Sequence, residues 1–212
     1  MKTVLALNGS PRRDGNTAQL LRQALEGAAQ AGADTEFIHL PDLSYAGCVS
    51  CFGCKRLGSP KFATCCWQDD LTPVLEKMRK ADGVLIGAPI YFGDVTGMVR
   101  NLTERILFPN CLYDKDGKTA YDKRVPVGFV YTMNCPDASI YDSVLEQLAQ
   151  CYGRFLGPVR DIRVVETLQF DDYSKYSSSM FDVAARKKRR EEHFPLDLEA
   201  AFQLGLQLME QA

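Results

Sequence analysis

Five of the chain's eight cysteines lie between Cys48 and Cys66, in the stretch CVSCFGCKRLGSPKFATCC. Thiolates so spaced can hold a metal, exchange with one another as a redox dithiol, or staple a loop. Where thiols are kept reduced, metal binding and catalysis come before a disulfide framework. A bond between the neighbours Cys65 and Cys66 would close a strained ring, which sets that disulfide aside. Zinc would take four thiolates tetrahedrally, but nothing else in the chain calls for such a staple. Cys111, Cys135 and Cys151 read as buried or incidental, Cys135 being the one beside a loop of interest.

A second stretch able to do chemistry is NGSPRRDGNT, Asn8 to Thr17. It follows a short apolar run and precedes helical periodicity, so Ser10, Asn16 and Thr17 bring polar side chains to the free N–H groups of a helix start. With Arg12 adding a charge-assisted contact, the loop suits a phosphate monoester held without a metal. No Gly-Lys-Ser/Thr follows and the G-x-G-x-x-G spacing is missing, which points to a mononucleotide. The plainer alternative is a tight turn in which Asn16 or Thr17 only caps the helix. A third stretch, GAPIYFGDVTG, sets Pro89, Tyr91 and Phe92 just past a buried apolar run, with Gly93 and Gly97 adding conformational freedom. Next to a phosphate loop these aromatics read as walls for a flat ring; taken singly they would read as filling between a strand and a helix. Acid/base chemistry is poorly supplied, since His39 and His193 are the only histidines. Asp69 and Asp70 read as helix-start charges.

The elements that must position these loops alternate along the chain. Apolar runs at residues 3–7, 35–40, 83–90, 125–133 and 162–170 read as strands. Helical periodicity reads from about 16–31, 71–81, 98–108, 138–156 and 181–211. Five strands and five helices in alternation, several strands being continuously apolar, predict an α/β fold: a doubly wound five-stranded parallel sheet with helices on both faces. One domain spans residues 1–212, with a cysteine-rich excursion at about 41–68. A net charge of -2 does not call for nucleic acid or an anionic membrane as partner. The basic run ARKKRREEH reads as a solvated helix face. The apolar N-terminal run is too short for a signal peptide or a membrane span, so a cytoplasmic protein is expected.

Taken in order, GSPRRDGNT, CVSCFGC, DDL and ADGVLIGAPIYFGDVTG resemble the flavodoxin-like NAD(P)H-dependent FMN reductases, and among them the iron-sulfur flavoproteins. The resemblance covers roughly residues 1–105 and continues beyond in element order alone. It implies a flavodoxin-like fold with FMN held by three loops. Ser10, Arg12, Asn16 and Thr17 would take the phosphate; Pro89, Ile90, Tyr91, Phe92 and Gly93 the ring; and Thr132, Met133 and Asn134 the ring edge. It further implies an oxidoreductase passing electrons from NAD(P)H or a carrier protein to a quinone, flavin or other acceptor. The flavin itself would carry the chemistry, with no catalytic side chain required. A homodimer or homotetramer is expected on the same ground. Cys48, Cys51 and Cys54 would converge on one face of a [4Fe-4S] cluster. The register before Asp69 and Asp70 points to Cys65 as fourth ligand, although ten residues separate it from Cys54, more than in the family pattern. The alternative is an excursion whose thiols bind no metal and pack as small hydrophobes at a pocket entrance. The rival function is a non-enzymatic electron carrier or a thiol redox sensor; the connector 109–124 and the long C-terminal region exceed what a minimal carrier needs.

Overall fold

The computed structural model describes residues 2–116, 118–120 and 123–210. Its strands are β1 (Thr3–Asn8), β2 (Asp34–His39), β3 (Gly83–Tyr91), β4 (Asp94–Val95), β5 (Val127–Thr132) and β6 (Val159–Val164). Its helices are α1 (Asn16–Gln30), α2 (Thr72–Lys80), α3 (Gly97–Asn110), α4 (Asp142–Phe155), α5 (Val183–Glu192) and α6 (Phe194–Glu210). Five strands pair in parallel in the order β2-β1-β3-β5-β6. The sixth, β4, turns back on the end of β3 as a two-residue antiparallel hairpin. Phe92 and Gly93 make that turn with φ of 52° and 86°, a left-handed conformation that costs glycine little.

Successive side chains of a strand point to opposite faces, and β1 divides its core accordingly. Val4 and Ala6 pack with Leu20, Leu21, Leu204 and Leu208 under α1 and α6. Leu5 and Leu7 pack with Met78, Ile106 and Leu148 under α2, α3 and α4. On the first face α1 and α6 run in near contact: a Cβ on Gly205 would fall 1.8 Å from the Ala24 carbonyl oxygen, and one on Gly27 2.1 Å from that of Phe202.

Two expectations shift. The last strand spans 159–164 and not 162–170: after Val164 the chain leaves the sheet, and Glu166 turns it at φ 52°. The final helical region is two helices meeting at His193, with Pro195 tolerated in the first turn of α6. The excursion between β2 and α2 contains no α-helix or strand, only the 3-10 turns Leu40–Asp42 and Gly53–Lys55. Among the described residues no helix is long and apolar enough to cross a membrane. Because β1 leads to α1 on one face and β3 to α3 on the other, their loops part at the carboxyl ends of the strands. That crevice is where a parallel sheet of this order holds a ligand.

Candidate functional site

A cavity of about 120 Å³ opens in the crevice. Ser10, Arg12, Asn16 and Thr17 line it from the loop after β1, and Pro89, Ile90 and Tyr91 from the end of β3. Thr132, Met133 and Asn134 line it from the end of β5. Phe92 and Gly93 stay outside this wall, at the hairpin tip, where Phe92 is fully exposed and Tyr91 half exposed.

The phosphate-type loop is shaped by its own polar groups. Ser10 N–H donates to Asn8 Oδ1 at 3.1 Å, and Arg12 N–H donates to Ser10 Oγ at 3.2 Å. Asn8 is held in turn by His39 at the end of β2, its Nδ2 lying 2.9 Å from His39 Nδ1. Burial lowers the His39 pKa, with Asp42 opposing and Arg13 assisting, so the ring is kept neutral and able to accept. Helix α1 starts after Gly15 with no side-chain cap, which leaves its first N–H groups and the positive end of its dipole facing the loop. Thr17 Oγ1 meets Thr132 Oγ1 at 2.8 Å, tying this helix start to β5.

The remaining wall is Thr167, Leu168 and Gln169, from the segment that reads in sequence as a strand. Asn16 Nδ2 donates to the Leu168 carbonyl at 2.9 Å and Arg12 Nη1 to the Gln169 carbonyl. Helix α5 backs this wall. Its Arg190 donates to Asn16 Oδ1 and Gln19 Oε1, both at 2.7 Å, and Arg186 donates to the Asn134 carbonyl at 3.0 Å. The basic run is therefore not merely a solvated face: Arg186 is buried and Arg190 partly so, both turned toward the cavity loops. Beyond the Leu168–Gln169 strap a wider cavity of about 750 Å³ shares Arg12 and Asn16 and adds Tyr176 and Arg190. The donors of the loop thus already face acceptor oxygens, which is the chemistry a phosphate monoester requires.

The cysteines form a separate site against α3. Cys48, Cys51, Cys54, Cys65 and Cys66 all line one small apolar cavity of about 20 Å³, closed by Phe108 and Trp67. Cys51 Sγ and Cys66 Sγ lie 3.6 Å apart, and Cys65 Sγ accepts from Arg105 Nε at 2.9 Å. The Gly53 N–H and the Cys66 thiol hold the Cys51 thiol below its usual pKa, while burial lifts that of Cys54. Among the described residues no three ligating side chains lie close enough to hold a single ion. Five cysteines lining one apolar pocket are a soft donor set, which suits a thiophilic metal or an iron–sulfur cluster and not a hard cation.

Residues 2–157 match the family described as NADPH-dependent FMN reductase. An iron-sulfur flavoprotein of Methanocaldococcus jannaschii is 41% identical over 102 residues, 48% of this chain and 50% of that protein. One from Archaeoglobus fulgidus is 42% identical over 102 residues, 48% of this chain and 47% of that protein. The matched stretch thus spans about half the length of these relatives. An NAD(P)H:quinone oxidoreductase from Methanothermobacter marburgensis shares the fold with TM-score 0.68 at 16% identity, covering 98% of this chain and 96% of that one. An azoreductase from Bacillus anthracis does so with TM-score 0.65 at 13% identity, covering 98% and 100%. Matched over most of its length and built on the flavodoxin-like sheet, the chain belongs to the NADPH-dependent FMN reductase family.

Proposed function

We propose that this chain is an FMN-dependent oxidoreductase that takes electrons from NAD(P)H or a redox carrier protein and passes them to a quinone, a flavin or another small acceptor. One observation carries the reading: the loops after β1, β3 and β5 converge on one cavity beside an uncapped helix start. Bound FMN supplies the redox chemistry, exchanging a hydride or single electrons at its ring. The residues bind and orient. Arg12, Asn16 and the first N–H groups of α1 take the phosphate, which requires the Leu168 and Gln169 carbonyls to yield their donors. Ser10 and Thr17 shape that end of the pocket, while Pro89, Ile90 and Tyr91 form one wall for the ring. Thr132, Met133 and Asn134 border the ring edge, and the exposed Phe92 with Gly93 forms a rim outside it. The names of the matched relatives support a second centre, an iron–sulfur cluster held by Cys48, Cys51, Cys54 and one of the pair Cys65 and Cys66. Such a cluster would supply single-electron transfer between the flavin and an external partner.

Fluorescence titration with FMN, followed by anaerobic stopped-flow mixing with NADH and with NADPH, tests the reading. Saturable quenching and direct flavin bleaching by at least one nicotinamide are expected. Bleaching by neither would favour the carrier, and no FMN uptake would end both.

A further inference from the structure

We propose that Cys66, and not Cys65, is the fourth thiolate alongside Cys48, Cys51 and Cys54, and that Cys65 serves as a fixed acceptor for Arg105. The assignment rests on the cluster reading above. It comes from what each of the two neighbouring sulfurs is already doing.

Arg105 is 1% exposed, and a guanidinium has five N–H donors. Four are taken by oxygen: the Ala46 carbonyl at 3.0 Å, the Trp67 carbonyl at 3.1 Å, and the two Asp69 carboxylate oxygens at 2.7 and 3.1 Å. The fifth, Nε, has Cys65 Sγ. A ligating thiolate still accepts an N–H, so the hydrogen bond alone excludes nothing. But moving the Cys65 sulfur off Arg105 to reach a cluster would leave a buried cationic N–H without an acceptor, a cost that Cys66 does not carry.

Cys66 is in the opposite position. Its sulfur faces another cluster cysteine, Cys51, at 3.6 Å. It also rests in a hollow that exists because residue 53 is glycine: a Cβ there would stand 2.2 Å from Cys66 Sγ and 3.9 Å from Cys51 Sγ. Gly53 follows Cys51 and precedes Cys54, so the hollow brings the Cys66 sulfur into the Cys-x2-Cys-x2-Cys loop itself. Consecutive residues in an irregular chain send their side chains in different directions; here one goes to Arg105 and the other to the cysteine loop. On binding iron the four thiols give up their protons and Cys65 keeps its hydrogen bond.

The test is anaerobic reconstitution of the full chain with ferric iron, sulfide and a thiol reductant, in the wild type and in the Cys65→Ser and Cys66→Ser variants. Iron and acid-labile sulfide per chain and the low-temperature electron paramagnetic resonance of the reduced protein are read, with circular dichroism and FMN binding as folding controls. Cys65→Ser keeps an acceptor for Arg105, so it should fold and retain wild-type iron and an unchanged spectrum. Cys66→Ser should fold, bind FMN and lose most of its iron and sulfide. The reverse pattern, equal retention in both variants, or equal loss in both folded variants would overturn the assignment. Wild-type protein that binds FMN yet takes up no iron would overturn the cluster reading and this assignment with it, leaving the flavin reading standing.

Discussion

The Arg105 guanidinium grips the Asp69 carboxylate with two hydrogen bonds, of 2.7 and 3.1 Å, in a site where Arg105 is 1% exposed. The pair joins α3 to the chain entering α2 and so fastens the far end of the cysteine excursion, whose own backbone has little regular structure to hold it. Burial raises the Asp69 pKa, but the hydrogen bonds and charge of Arg105 outweigh it and hold the carboxyl below its ordinary value.

Removing one partner of such a pair leaves a buried charge uncompensated. Asp69→Ala should therefore lower stability by about 3–5 kcal/mol, read by urea denaturation. The depressed pKa also sets a sign. The stabilisation is whole above the unfolded-state pKa of about 3.9 and is lost as pH falls through the lower folded value. The acid limb of the stability curve should be shallower in the variant. Equal stability of the two proteins at neutral pH would refute the role.

The contact of α1 with α6 gives a second test. A methyl group on Gly205 would stand 1.8 Å from a backbone oxygen of Ala24, which no rotamer change can relieve. Gly205→Ala should cost at least about 1–3 kcal/mol by forcing the helices apart. Helix α1 carries the phosphate-type loop at its start, so FMN affinity should fall with it. A melting temperature equal to that of the wild type would show that the helices separate freely.

Much of this architecture was legible beforehand because it is local. Val4 to Leu7 and Val84 to Ile86 are apolar on both faces, the mark of central parallel strands, and the loops at their carboxyl ends are where chemistry collects. Ser10, Asn16 and Tyr91 could be singled out for that reason. Leu168, Gln169 and Arg190 could not. Leu168 and Arg190 reach Asn16, and Gln169 reaches Arg12, across more than a hundred and fifty positions. Their signals were misleading: 162–170 carries strand-like composition, and Arg190 sits in a run dense enough in charge to look solvated. The different surroundings of Cys65 and Cys66 were equally hidden, because they depend on a buried arginine forty positions away on α3.

Tyr91 and Phe92 are neighbours with different expected effects. Tyr91 lines the cavity, whereas Phe92 projects into solvent from the hairpin tip. Tyr91→Ser should weaken FMN binding by about tenfold to a hundredfold, the range of about 1–3 kcal/mol that stacking on an aromatic side chain supplies. Phe92→Ser should leave it near the wild-type value. Fluorescence titration of both variants decides, and a larger loss in Phe92→Ser would mean that the hairpin folds over the ring.

The relay from His39 through Asn8 to Ser10 makes the loop sensitive to acid. Asn8 can donate to His39 Nδ1 and accept from Ser10 N–H only while that imidazole nitrogen is unprotonated. Protonation would set two donors face to face. Turning the Asn8 amide to relieve them would take the acceptor away from Ser10. Because burial lowers the His39 pKa, the stabilisation from its neutral form is whole above about pH 6.5 and is lost as pH falls through the lower folded value. FMN affinity should accordingly weaken on acidification. The flavin's own phosphate titrates near pH 6, so the readout is the difference between the wild type and His39→Asn, whose amide oxygen can accept without taking up a proton. Between about pH 7.5 and 5.5 the wild type should lose affinity more steeply than the variant. Parallel pH profiles would show that His39 does not govern the loop.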